Sequence, residues 1–81
     1  MRLDKFLKVS RLIKRRTIAN KVSDQGRVYV NDVIAKPSKQ LKEGDVITIV
    51  QSDTQIKVRI IKIPLNNVSV QEASGLYEVI N

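Results

Sequence analysis

Apolar residues recur at helical spacing at the start of the chain. Leu3, Phe6 and Leu7 fall at positions i, i+3 and i+4, which places them on one face of a helix over residues 3–9. This stripe falters at Ser10-Arg11, and we expect the chain to bend there. The first helix is therefore expected to be short, and a second element must follow it.

A second apolar stripe predicts a helix from about residue 16 to residue 25, although a single longer helix through Ile13 would also fit. The residues that we expect on its buried face are Ile18, Ala19 and Val22. Gly26 suits the position just after a helix, where a positive φ is common. Arg15 stands at the N-cap position, so no capping side chain precedes the helix. Free N–H groups beside Arg15 and Arg16 are poor for stability but suited to a phosphate.

Patterns typical of β-structure fill the rest of the chain. Residues 27–30 and 33–36 are rich in β-branched side chains and flank Asn31-Asp32, which predicts a tight hairpin. The remaining expected elements are a strand at residues 46–50, a strand at residues 56–63 that Pro64 ends, a helical turn at residues 70–75 and a final strand at residues 76–80. Helices first and strands afterwards predict an α+β fold. We expect one small domain, in which an N-terminal two-helix hairpin packs on a short, twisted, mostly antiparallel sheet with a small C-terminal appendage.

The formal net charge of +7 is concentrated in one third of the chain. Residues 1–27 contain nine Lys or Arg and two Asp, whereas residues 28–81 contain six basic and six acidic residues. Such a segment attracts a polyanion, although a run of charge can also be a solvated surface. The adjacent cations Lys14, Arg15 and Arg16 repel one another, so a bound anion such as a nucleic-acid backbone is the simpler explanation.

The composition argues against catalysis and against a membrane span. The chain has no cysteine and no histidine, and its three glycines form no phosphate-binding loop, so we expect no metal, no cofactor and no enzymatic activity. No apolar run approaches the roughly 18 residues of a transmembrane helix, and the N-terminus lacks the apolar core of a signal peptide. We therefore expect a cytoplasmic protein. Only three aromatic residues are present, which favours binding to the shape and phosphates of structured RNA over stacking on single-stranded bases.

Five short motifs stand in order along the first part of the chain. They are Arg2-Leu3-Asp4-Lys5-Phe6-Leu7, Arg16-Thr17-Ile18-Ala19, Gly26-Arg27-Val28-Tyr29-Val30-Asn31, Pro37-Ser38 and Gly44-Asp45. In this order and spacing they resemble the S-four RNA-binding domain, which is named after a ribosomal protein of the small subunit. The chain departs from that pattern at Asp32, where a glycine is usual, and at Arg15, where many members have a helix-capping serine. We expect an RNA-binding module at residues 1–50 and C-terminal strands at residues 51–81 that complete the same domain.

The opening of the chain, residues 1–17, further resembles free-standing members of this family that act in bacterial ribosome-associated quality control. That resemblance implies a non-catalytic factor that binds large-subunit rRNA and tRNA on stalled large ribosomal subunits carrying peptidyl-tRNA. It also implies a partnership with RqcH, the protein that adds alanine to the stalled chain without a template. We expect the protein to be a monomer and to make no contact with membranes.

Nine basic residues are the candidates for RNA contact. The first tier is Arg2, Lys5, Arg11, Lys14, Arg15 and Arg16, and the second tier is Lys8, Lys21 and Arg27. Arginine offers a planar fork that suits phosphate, whereas lysine offers a point charge. The alternatives are a general binder of structured RNA in ribosome assembly or heat shock, a helix-turn-helix DNA-binding protein, and a module that lies on an anionic membrane surface.

Overall fold

A computed structural model describes residues 1–65 and 68–80 of the chain. The helices are α1 (Leu3–Val9), α2 (Arg16–Asp24) and α3 (Val70–Ala73), and a 3-10 turn (Ser74–Leu76) follows the last of them. The strands are β1 (Val28–Val30), β2 (Val33–Ile34), β3 (Val46–Gln51), β4 (Thr54–Ile60) and β5 (Tyr77–Val79). They form one antiparallel sheet in the order β2-β1-β3-β4-β5. The predicted α+β fold, with two helices before an antiparallel sheet, is confirmed.

Helix α1 forms because its apolar stripe is completely buried. Leu3, Phe6 and Leu7 have no solvent exposure and belong to the same core as the inner face of the sheet. The helix ends where Arg11 adopts a left-handed backbone conformation, with φ of 64°. The N–H of Arg11 donates to the carbonyl of Lys8, which satisfies one of the orphan carbonyls at the helix end. The predicted bend after α1 is confirmed.

Helix α2 has an unusual start and an ordinary end. Arg15 occupies its N-cap, and its side chain makes no capping hydrogen bond, as predicted. At the other end, Gly26 has φ of 76°, and the N–H of Arg27 bonds to the carbonyl of Val22 in a Schellman arrangement. One core prediction is wrong, because Ile18 is 47% exposed. The buried face of this short helix consists of Ala19 and Ser23, with Val22 packed at its margin, so Ile18 points outward.

The first hairpin reverses at two residues in the left-handed region. Asn31 has φ of 52° and Asp32 has φ of 68°, which is the pattern of a type I′ turn and confirms the predicted hairpin. The strand predicted at residues 56–63 needs a correction, since β4 begins at Thr54 and ends at Ile60. Its neighbour β3 begins at Val46 and its other neighbour β5 begins at Tyr77, so both ladders stop there.

The core lies between the helical hairpin and the inner face of the sheet. Its fully buried strand residues come from three central strands and include Val28, Ile47 and Val58. In the described part of the chain, no helix is long and apolar enough to cross a membrane. The core is small, as expected for a chain of 81 residues, and its helical side carries the basic segment on its outer surface.

Candidate nucleic-acid interface

The segment that precedes α1 is fastened to the loop after the first hairpin. The N–H of Leu3 donates to the carbonyl of Lys39 at 2.8 Å, and the N–H of Asp4 donates to the carbonyl of Pro37 at 3.1 Å. Arg2 forms a β-bridge with Gln40. These contacts satisfy the first N–H groups of the helix and hold Arg2 at a defined place beside it. Pro37 thus supports the interface through its backbone.

The carboxylate of Asp4 is the centre of a polar group that joins both helices. Arg2 approaches it with two nitrogens, Nε at 3.2 Å from Oδ1 and Nη2 at 3.2 Å from Oδ2. Arg16 places Nη2 at 3.5 Å from Oδ1, and Asn20 donates from Nδ2 to Oδ2 at 3.1 Å. We call Arg2, Asp4, Arg16 and Asn20 the Asp4 cluster. One carboxylate therefore positions two guanidinium groups.

The exposure of these side chains decides what the Asp4 cluster can do. The side chain of Asp4 is 3% exposed, whereas those of Arg2 and Arg16 are 44% and 48% exposed. Burial raises the pKa of Asp4. The hydrogen bond from Asn20 and the positive charges of Arg16 and Arg2 together lower it by more than burial raises it, so the pKa lies below its ordinary value. The carboxylate is ionised at neutral pH, and the outer edges of both guanidinium groups stay open to an anion.

A shallow depression of about 350 Å³ adjoins the Asp4 cluster. Its lining residues are Asp4, Arg16, Thr17 and Asn20. It combines one cation, a hydroxyl and an amide on the exposed side of α2, which are donors suited to phosphate and ribose oxygens. Within residues 1–65 and 68–80, no group of three or more acidic side chains could hold a metal ion.

Three other basic candidates come together at the end of α1. Lys8, Arg11 and Lys14 line a notch of about 80 Å³, together with Val9 and Val68. We call this site the basic notch. It lies where the left-handed Arg11 redirects the chain between the two helices. The structure thus divides five of the predicted residues between two sites, with Arg2 and Arg16 in the Asp4 cluster and the other three in the basic notch.

The remaining four candidates belong to neither site. Lys5 is half-buried, whereas Arg15, Lys21 and Arg27 are exposed. Arg15 is the N-cap of α2 and directly precedes Arg16 of the Asp4 cluster. No described contact joins these four side chains to one another or to either site. Their role in RNA contact stays a prediction.

Sequence patterns did not single out several residues that build the two sites. Asp4 matches the family motif and was expected only as a helix-start residue or a bridge to a neighbouring arginine. Asn20 is sixteen positions away from the carboxylate that it contacts. Val68 lies beyond the last of the five motifs, which ends at Asp45. Only the spacing of Arg16 and Asn20, which puts both on one face of α2, could have suggested a shared partner.

Other motif residues are structural. Asn31 donates from Nδ2 to Oδ1 of Asp45 at 3.1 Å, and its Oδ1 accepts from the N–H of Val46 at 3.0 Å. Oδ2 of Asp45 accepts from the N–H of Lys42 at 3.0 Å. These bonds tie the first hairpin to the turn before β3. Gly44, with φ of 90°, provides the conformation that this turn requires.

Comparisons with known proteins identify relatives of this chain. The family model of the S4 domain matches residues 1–47. An RQC P-site tRNA stabilizing factor of Halalkalibacterium halodurans is 52% identical over 79 residues, which cover 98% of this chain and 89% of that protein. A protein with the same name from Streptococcus pneumoniae is 43% identical over 81 residues, which cover 100% of this chain and 91% of the other.

A solved structure extends the likeness to the whole fold. The trimeric structure of Heat Shock Protein 15 from Vibrio cholerae matches with a TM-score of 0.89 and 35% sequence identity, over 99% of this chain and 81% of that one. Together these matches confirm the resemblance to the S-four domain and to its free-standing members in ribosome-associated quality control.

Proposed function

Since the chain belongs to the S4 domain family, we propose that it is a non-catalytic RNA-binding factor of bacterial ribosome-associated quality control, equivalent to the RqcP proteins. It binds large-subunit rRNA and tRNA on stalled large ribosomal subunits that carry peptidyl-tRNA. There it supports alanine tailing by RqcH. We infer that it works in the cytoplasm, where ribosomes are. The names of its relatives, which describe stabilisation of tRNA in the P site, support this proposal.

The observation that carries the proposal is the Asp4 cluster. Two arginines from different elements are held by one buried carboxylate, and about half of each arginine side chain is exposed. Holding a side chain before binding reduces the entropy that is lost on binding. A pre-positioned pair of guanidinium groups suits the phosphates of a folded RNA, whose positions are themselves fixed.

The aromatic residues support recognition of structured RNA. Phe6 is completely buried, and Tyr29 and Tyr77 are both partly buried in strands. The described part of the chain therefore has no open platform of several aromatic side chains on which single-stranded bases could stack. Binding led by phosphate contacts is the mechanism that this surface favours.

Co-sedimentation with purified large subunits tests the RNA-binding surface. The double variant Arg15→Glu/Arg16→Glu should no longer sediment with the subunit, because it reverses the charge of Arg16 in the Asp4 cluster and that of Arg15 directly before it. The matched control, Lys36→Glu/Lys62→Glu, makes the same change in net charge in the neutral part of the chain and should sediment like the parent. Equal sedimentation of all three proteins would contradict the proposal.

The salt dependence of binding tests whether phosphate contacts lead. For about five phosphate contacts, the plot of log affinity against log salt concentration should have a slope of roughly −3.5 to −4.5. A slope near zero would exclude a phosphate-led mechanism. Competition with duplex DNA in the same assay tests the helix-turn-helix alternative, which requires preference for a DNA sequence.

The finer parts of the proposal concern tRNA and RqcH. Reconstituted alanine tailing by RqcH, on large subunits that carry peptidyl-tRNA, should depend on the parent protein and fail with Arg15→Glu/Arg16→Glu. Crosslinking in cells, followed by sequencing of the attached fragments, should recover both large-subunit rRNA and tRNA. Recovery of mRNA or of small-subunit rRNA alone would count against this role.

The likeness to Heat Shock Protein 15 favours a second candidate, a general ribosome-associated RNA binder of heat shock or assembly. The two candidates differ in whether peptidyl-tRNA strengthens binding. The first requires higher affinity for large subunits that carry peptidyl-tRNA than for empty ones, and the second predicts equal affinity. The predicted monomer can be checked by analytical ultracentrifugation, since the Vibrio cholerae structure is trimeric.

A further inference from the structure

The basic notch at the end of α1 contains cations without partners. In the described residues, no hydrogen bond or ion pair joins the side chains of Lys8, Arg11 or Lys14 to another group. The two arginines of the Asp4 cluster share a carboxylate, and Arg59 contacts Glu78 at 2.8 Å. Three cations around one small space repel one another, so an anion placed among them would relieve that repulsion.

The backbone conformation of Arg11 also indicates an anion-binding site at the notch. A φ of 64° is uncommon for a residue other than glycine, and helices usually end on glycine or asparagine in this conformation. Unfavourable backbone conformations that are retained in a fold often mark functional sites. An arginine at this position adds a third cation to the notch, which glycine could not do.

The size and walls of the notch select the kind of anion. The notch of about 80 Å³ has room for one tetrahedral anion such as phosphate, whereas a nucleobase with its sugar would extend beyond it. Val9 is 5% exposed, and Val68 is partly buried against the core. These two valines border a lining that is otherwise polar and basic, which suits a small anion.

We propose that the basic notch binds a single phosphate group of RNA, as a site separate from the Asp4 cluster. Val68 makes the C-terminal third of the chain part of the RNA-binding surface. The inference rests on the proposed function only in taking RNA as the polyanion. The phosphate is either a phosphodiester of the backbone or a phosphomonoester at an RNA end.

A titration with inorganic phosphate tests the notch directly. In two-dimensional NMR spectra of the labelled protein, phosphate should produce saturable shifts at the amides of residues 8–14 and of Val68. Sodium chloride at equal ionic strength should not. Lys14→Gln and Val68→Glu should lose saturation, whereas Lys36→Gln, which removes the same charge as Lys14→Gln outside the notch, should retain it. Shifts spread over all basic residues, or equal behaviour of Lys14→Gln and Lys36→Gln, would overturn the proposal.

Binding to a structured fragment of large-subunit rRNA tests whether the notch also binds phosphate that is part of an RNA chain. Lys14→Gln should make the salt slope shallower by about 0.7–0.9, the equivalent of one phosphate contact, whereas Lys36→Gln should leave it unchanged. Val68→Glu should weaken binding at least as much as Lys14→Gln. If removal of the terminal phosphate from the RNA abolishes the difference between Lys14→Gln and the parent, the ligand is a phosphomonoester. If the difference remains, it is a backbone phosphodiester.

The outcome for the notch can be separated from that for the proposed function. If Lys14→Gln binds RNA like Lys36→Gln while Arg15→Glu/Arg16→Glu fails to sediment, the notch proposal falls and the proposed function stands. If Arg15→Glu/Arg16→Glu sediments normally, the proposed function falls. Circular dichroism should show that Val68→Glu is folded. If it is not, Lys14→Gln alone decides, because Lys14 is exposed and makes no contact that folding needs.

Discussion

The substitution Asp4→Asn gives a prediction whose direction opposes simple electrostatics. It removes one negative charge and therefore raises the net charge from +7 to +8. If affinity for RNA followed net charge alone, the variant would bind more tightly. We expect it to bind more weakly, because Asp4 is the group that positions Arg2 and Arg16.

The size of the effect follows from the contacts that are lost. The neutral amide cannot form an ion pair with either guanidinium, and its N–H₂ group is directed at other donors. If each arginine then regains its freedom in the unbound protein, ordering it on binding costs about 0.5–1.5 kcal/mol. For two arginines the sum is about 1–3 kcal/mol, or roughly a 5- to 150-fold loss of affinity. The upper half of this range requires both side chains to become fully mobile, so a loss near tenfold is the central expectation.

Fluorescence anisotropy with a labelled fragment of large-subunit rRNA, at one fixed salt concentration, measures this loss. Asp24→Asn is the matched control, since it makes the same change of charge at an exposed position of α2. It should bind as tightly as the parent or slightly more tightly. Asp4→Asn that is folded by circular dichroism and binds as tightly as Asp24→Asn would refute the positioning role of the carboxylate.

Three further predictions concern stability. Because the pKa of Asp4 is lowered in the folded state, its ionisation stabilises the fold. That stability is fully present above the unfolded-state pKa of about 3.9 and is lost as the pH falls through the folded-state pKa. Urea unfolding at a series of acid pH values should therefore show a smaller loss of unfolding free energy for Asp4→Asn than for the parent. Asp32→Gly should raise the free energy of unfolding by about 0.5–1 kcal/mol, because glycine adopts a φ of 68° without strain and the contact of Asp32 with Lys57 is long and exposed; a melting temperature that does not rise would count against this reasoning. Val58→Ala should lower the free energy of unfolding by about 2–4 kcal/mol in urea titrations, since Val58 is completely buried, and a loss below 1 kcal/mol would mean that the core can close around the gap.

Local patterns predicted the elements of this fold well, because each has a physical signal within a few residues. The spacing of Leu3, Phe6 and Leu7 defines α1, and Gly26 marks the end of α2. The exposure of Ile18 was not predictable in this way. Ile18 and Ala19 are roughly 100° apart on a helical wheel, at the two sides of one apolar stripe, and only the packing of α2 on α1 decides which one is buried. The end of β4 was also missed, because a strand stops where its partners stop.

The candidate sites were harder to predict from local patterns than the helices and strands, because they depend on contacts between distant residues. The basic character of the opening segment was visible from composition, and Arg2 and Arg16 were both predicted as site residues. Their common dependence on Asp4 and Asn20 was not, because it arises from contacts between the two helices. Val68 could not be connected to the basic notch by any local pattern, since the connection passes through the folded core.

The family match ends at residue 47, inside β3, but the two helices share their core with Val58 and Ile60 of β4. During synthesis the cationic opening of the chain is made first, and the strand that it must pack against is made much later. Until β4 has been translated, the helices lack the residues that complete their core, so we expect the Asp4 cluster not yet to be in place. We therefore expect a newly made molecule to assemble its proposed RNA-binding surface only near the end of its own translation.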